Sequence, residues 1–156
     1  MTYIIDTNCF IVMGHYYPSR FPGFWKKFDE LVYDERVISV REVYKELDNT
    51  STESHLWDWV QNNKAIFKRP DEREMEVVKE IFAIERFQAL LKRKNILEGS
   101  PEADPFLVAC GKVRNACVVT QEKKKGNKIK IPLVCEHFDV ECINLETLME
   151  REDWAF

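Results

Sequence analysis

Four short apolar runs, each stopped by polar or turn residues, punctuate the chain: "YII" at 3–5, "RVISV" at 36–40, "ACVV" at 116–119 and "VECINL" at 140–145. Runs this short and mostly apolar predict strands, and the most continuous of them predict strands covered on both faces. Helical patterns fill the intervals. Phe24, Phe28 and Leu31 fall at helical spacing, as do Val40, Val43, Tyr44 and Leu47. Leu56, Trp59 and Val60 form a third stripe, preceded by Thr50 and Glu53 in the pattern of a capping box. Residues 71–94 carry acids at the start, bases at the end and Ile81, Ile84, Phe87 and Leu91 between them, which predicts the longest helix. Beyond Gly99 comes a helix whose residues 106–110 are apolar almost all round, then short helices in "IPLVCEHF" and "ETLMERE". Strands alternating with helices predict a three-layer α/β/α fold around a mostly parallel sheet, with residues 1–156 as one domain.

Composition narrows the function. At 156 residues, 45% apolar and 32% charged, the chain can bury one substantial core, and its net charge of −4 leaves nucleic-acid binding to a local basic patch. The five cysteines form no CxxC pair and sit mostly in apolar runs, as reduced thiols do. No apolar stretch is long enough to span a membrane, so the expectation is a cytoplasmic protein.

The acids at element ends carry the chemical signal. Asp6 ends the first apolar run, where a carboxylate is costly unless something compensates it. Thr120 and Glu122 follow the "ACVV" run. In a parallel sheet such ends face one crevice, and carboxylates gathered there repel unless a cation lies between them. Glu46 borders the buried stripe of its helix, whereas Glu42, one turn earlier, reads as an ordinary solvated helix acid. Asp104, before Pro105, has the position of an N-cap and can also present an oxygen to a metal. Acids from four separated segments make a candidate site for Mg²⁺ or Mn²⁺.

These segments resemble the PIN-domain nucleases, in particular the small prokaryotic VapC-like toxins of toxin–antitoxin pairs. "YIIDTNCF" resembles the first strand with its D-T-N signature, "VYKELDN" the helix with the second acid, "EADPFLVACG" the helix with the third, and "VVTQE" the strand end with a hydroxyl and a fourth acid. The late segment "IPLVCEHFDVECINLETL" resembles the closing helix, strand and helix of the family. The resemblance implies a PIN-like fold and a Mg²⁺-dependent endoribonuclease leaving 5′-phosphate and 3′-hydroxyl ends. It implies that Asp6, Glu46, Asp104 and Glu122 line the metal site, with Asn8 and Thr120 in support. RNA, a cognate antitoxin and a homodimer are the implied partners. Many relatives have aspartate where this chain has Glu122, with Asp48 and Asp139 as fallback acids.

Lys123, Lys124, Lys125, Lys128 and Lys130 follow the fourth motif directly and are candidates for phosphate contact, with Arg20, Lys26 and Lys27 as weaker ones. A solvated loop would use the same lysines. The histidines, His15, His55 and His137, show no nucleophile–base spacing, and Trp57 and Trp59 read as packing residues. A phosphatase of the haloacid dehalogenase type would need an acid at position 8, which is Asn. The rival outside enzymology is a PIN-like domain that binds RNA or protein with its metal site weakened.

Overall fold

The computed structural model describes residues 1–50, 52–88, 103–124 and 130–156. The chain order is β1 (Tyr3–Ile5), α1 (Thr7–Met13), α2 (Pro22–Tyr33), β2 (Val37–Val40), α3 (Arg41–Asp48), α4 (Ser54–Asn62), a 3₁₀ turn (Lys64–Ile66) and β3 (Phe67–Lys68). It continues with α5 (Glu72–Ala83), α6 (Asp104–Arg114), β4 (Cys117–Val119), α7 (Ile131–His137), β5 (Cys142–Ile143) and α8 (Leu145–Arg151). The five strands form one sheet in the order β3-β2-β1-β4-β5, every pair parallel, in a three-layer α/β/α arrangement. β1, β2 and β4 are buried along their whole length, as strands covered by helices on both faces must be. The edge strands β3 and β5 have two residues each and are half-buried, which leaves little free edge for another chain to pair with.

The register positions the site. Tyr3 pairs with Val37 on one side and Cys117 on the other, and Ile5 pairs with Val119. Asp6 N–H continues the ladder by donating to the Val119 carbonyl (2.9 Å), so the residues after β1 and β4, Asp6 and Thr120, stand side by side. The chain runs outward from β1 through β2 to β3, then returns to lay β4 on the other side of β1. The β1–β4 boundary is therefore where the strand order reverses, the place at the carboxyl ends where open parallel sheets hold their ligands.

Several local expectations are corrected. Helix α1, which the apolar pattern did not announce, begins directly at Thr7, because Asp6 is its N-cap, extended at φ −78°, ψ 159°. Glu53 precedes α4 without a side-chain capping bond; Thr52 Oγ1 instead donates to the Leu47 carbonyl (2.8 Å) and closes the end of α3. The helix expected over 71–94 stops at Ala83, because Ile84 is extended at ψ 111°. A further helical turn spans residues 85–88, and Leu91 lies outside the described residues. Strand β3 was not legible from its pattern. Asp104 is the first residue of α6, and Ala103, not Asp104, holds the cap position. Glu42 is buried, 4% exposed, and not solvated.

Helix α6 fits tightly against the sheet. A Cβ built on Gly111 would lie 2.7 Å from Val140 Cγ1 and 3.1 Å from Val118 Cγ2, so only glycine permits this approach. The helix ends at Asn115 in the left-handed conformation (φ 51°), which asparagine tolerates better than most residues. At the amino end of the sheet, Arg36 grips Glu152 with two bonds (2.8 and 2.7 Å) and Tyr3 donates a third (2.6 Å), tying the C-terminal segment to β1. Trp154 and Phe156 dock on Phe24 at the start of α2.

Candidate active site

Asp6 is 4% exposed, and each of its carboxylate oxygens accepts a hydrogen bond. Oδ1 takes Thr7 N–H (2.7 Å), the bond that starts α1, and Oδ2 takes the Thr120 hydroxyl (2.7 Å). Thr120 Oγ1 in turn accepts from Asn8 Nδ2 (3.3 Å) and Glu122 N–H (3.1 Å), so its one donor and both acceptor positions are used. Asn8 Oδ1 accepts Gln121 N–H (3.0 Å). The two strand ends are thereby laced together by side chains that alternate between them.

Glu46 approaches from α3. Its position beside Val43 and Leu47, both buried, turns it inward. Oε2 accepts the Thr7 hydroxyl and Oε1 accepts Ala103 N–H (3.2 Å). One carboxylate thus connects the start of α1 with the residue that precedes α6. Asp104 is the next residue and is partly buried. Glu122 Oε2 accepts Ile131 N–H (3.0 Å) at the first turn of α7, a use of this acid that its sequence position did not reveal.

Asp6 feels the charges of two of the other acids, Asp104 and Glu122. Burial pushes the Asp6 carboxyl up to about 7, the charge of Asp104 adds to the rise and that of Glu122 adds less; the bonds from Thr120 and Thr7 oppose it. Such a group is unfavourable as a set of bare anions and favourable around positive charge. Its donors are hard oxygens, the kind that suit Mg²⁺ or Mn²⁺. Among the described residues, no three His, Cys, Asp or Glu side chains stand close enough together to form a ready-made ion cage.

The remaining candidates divide. Lys123 and Lys124 are exposed, and Lys124 is already paired with Glu136 (2.5 Å); Lys125 and Lys128 lie outside the described residues. Lys130 is half-buried and precedes α7. Asp48 and Asp139 are exposed. Residues the sequence reading missed are Thr7, which holds Glu46, and Gln121, whose Oε1 accepts Leu145 N–H (3.0 Å). Thr7 was visible in "DTN" once a helix is allowed to start there. Ser39 also escaped notice: its hydroxyl donates to the Ile5 carbonyl (2.6 Å) and braces β2 against β1 one residue before Asp6.

Fold and site together define an open, all-parallel α/β protein with a buried aspartate, Asp6, at the point where strand order reverses and the charges of Asp104 and Glu122 acting on it. The chain belongs to the family described as Domain of unknown function (DUF4411), whose profile matches residues 3–156. No curated protein matches it. Among solved structures it is similar to a chain in the crystal structure of VapBC2 from Rickettsia felis bound to a DNA fragment from their promoter. The identity is 14%, the match covers 92% of this chain and 98% of that one, and the TM-score is 0.53. The likeness is one of fold. Among the described residues, no helix is long and apolar enough to cross a membrane.

Proposed function

We propose that the protein is a Mg²⁺-dependent endoribonuclease, the toxin of a toxin–antitoxin pair, with RNA as substrate and a cognate antitoxin as partner. The observation that carries this reading is the buried Asp6 carboxylate, which feels the charges of Asp104 and Glu122, while Glu46 bonds to Thr7 and Ala103, the neighbours of Asp6 and Asp104. Asp6 follows β1, Glu46 reaches in from α3, Asp104 opens α6 and Glu122 follows Thr120. The PIN resemblance of the same four segments supports it, as does the fold shared with a chain of VapBC2.

Asp6, Asp104 and Glu122 are the residues that would hold the ion, with Glu46 beside them. Bound there, Mg²⁺ would offset the charge that develops on the phosphate oxygens and favour an ionised nucleophile. The chain's own groups do the positioning. Thr120 and Thr7 N–H keep both Asp6 oxygens aimed, so the carboxylate enters the reaction already ordered. Glu46, fixed by Thr7 and Ala103, orients the attacking water. Lys123 is an exposed cation available to substrate phosphate.

The test is incubation of the purified protein with a mixed RNA pool and Mg²⁺. Cleavage to 5′-phosphate and 3′-hydroxyl ends, abolished by EDTA and by Asp6→Asn, supports the reading. Cleavage by Asp6→Asn at the parent rate refutes it. A second reading, a PIN-like module that binds RNA or protein without cutting, is favoured by the engagement of Glu122 with Ile131 N–H, which gives this acid a structural role at the start of α7 that needs no ion. Tight RNA binding with the RNA left intact would select it.

A further inference from the structure

Helices α2 and α4 enclose a cavity of about 290 Å³ whose walls include Trp25, Asp29, His55, Asp58 and Trp59. Its lining includes none of Asp6, Glu46, Asp104 and Glu122. Two indoles supply its apolar wall. Trp25 is 6% exposed and anchored by its N–H to the Tyr16 carbonyl, and Trp59 packs on Trp25 and Phe28 with ring centres 5.9 and 5.4 Å away. Trp59 Nε1–H donates to Asp29 Oδ1 (2.8 Å), which pins that carboxylate beside the indole. His55 is tied to the Gly14 carbonyl through Nε2 (2.6 Å). Neither Asp29 nor Asp58 has an ion-pair partner among the described residues. The cavity adjoins a second hollow, sharing Asp29, Trp59 and Asn62 with it, beside which Tyr33 stands 88% exposed.

We infer that this cavity receives an arginine side chain from an extended segment of a partner protein. The assignment follows from complementarity. Two exposed carboxylates with no ion-pair partner among the described residues repel phosphate, so the occupant is a cation and not a nucleic acid. A flat apolar wall with carboxylates beside it suits a guanidinium, which stacks on aromatic rings and binds carboxylate as a planar fork, better than a compact, strongly hydrated ammonium. The aliphatic stem lies against the indoles. The adjoining hollow and the exposed Tyr33 ring give an apolar residue next to that arginine its own contact, which a free small cation would not use.

The experiment follows the indole N–H signals of Trp25 and Trp59 by ¹H–¹⁵N NMR while acetyl-Leu-Arg-Leu-amide is added to the intact protein. The expected result is a saturable shift of both signals, with affinity reduced roughly tenfold by Asp29→Asn or Asp58→Asn. The citrulline version of the peptide, equal in shape but uncharged, should leave the signals in place. RNA cleavage by both variants should equal that of the parent. Absence of a saturable shift, equal binding of the citrulline peptide, or unchanged affinity in the doubly substituted protein overturns the inference. Tighter saturation by spermidine than by the peptide overturns it in favour of a free polyamine.

Discussion

Thr120 donates a 2.7 Å hydrogen bond to Asp6 across 114 residues of sequence, and that bond joins the ends of β1 and β4. It is short because the ladder has already aligned the residues: Ile5 pairs with Val119, and Asp6 N–H reaches the Val119 carbonyl. Its removal separates positioning from chemistry. Thr120→Val should cost about 1–3 kcal/mol of stability, since a buried Asp6 oxygen loses its donor. Cleavage should fall roughly tenfold with substrate affinity little changed. Asp6→Asn should instead abolish cleavage while the thermal midpoint stays within a few degrees of the parent's. Paired melting and cleavage assays distinguish the two.

Glu42 is 4% exposed, and among the described residues neither of its oxygens accepts a hydrogen bond from another residue; Arg41 lies 3.9 Å away. Burial raises its carboxyl above the usual carboxylate range, against the pull of Arg41 and Lys45. A group raised on folding favours the folded state below its unfolded-state pKa, and that advantage is lost as pH rises through the folded value. Glu42→Met should therefore stabilise the protein at pH 7.5, by about 1–3 kcal/mol. The gain should shrink toward zero below the usual carboxylate range. Denaturant midpoints measured from pH 4 to pH 8 check the sign.

Glu74 is a contrasting case. It is 2% exposed but accepts from Arg114 Nε at 3.0 Å, which links α5 to the end of α6. Arg114→Met would strand a buried carboxylate. The expected cost is about 2 kcal/mol, below the figure for a wholly buried pair because over a third of the Arg114 side chain is exposed. Replacing Glu74 by Leu in the same protein should recover most of it, and chemical denaturation of the single and double variants measures the coupling.

Gly111→Ala should destabilise by about 1–3 kcal/mol, because the added methyl meets Val140 Cγ1 at 2.7 Å. Trimming Val140 to Ala in the same chain should return part of that loss. Thermal melts of the three variants decide whether the cost is this contact.

Much of the architecture was legible because burial on both faces leaves a mark in composition. A strand enclosed by helices is apolar at nearly every position, with Ser39 in β2 satisfied by the Ile5 carbonyl, so β1, β2 and β4 announced themselves. The stripes of α2 and α3 did the same at their own period. Strand β3 did not, because two half-buried residues at an edge need no pattern. The end of α5 at Ile84 was hidden too, since the apolar period continues through Phe87 across the break.

The site divides along the same line. Sequence alone determined which acids stand at the ends of elements, because a strand's apolar run and a helix's stripe fix those ends locally. Only the tertiary structure decided which acids meet and in what condition. Asp6 and Thr120 become partners through strand order and register, and Glu46 gains Thr7 and Ala103 through the packing of α3. The exchange of expectations between Glu42 and Asp104 has the same origin. Helical phase places Glu42 beside the stripe, but burial depends on what covers that face, and only long-range packing determines that. Asp104 has the local chemistry of a cap, yet Ala103 takes the cap position and Glu46, from a distant helix, answers its N–H.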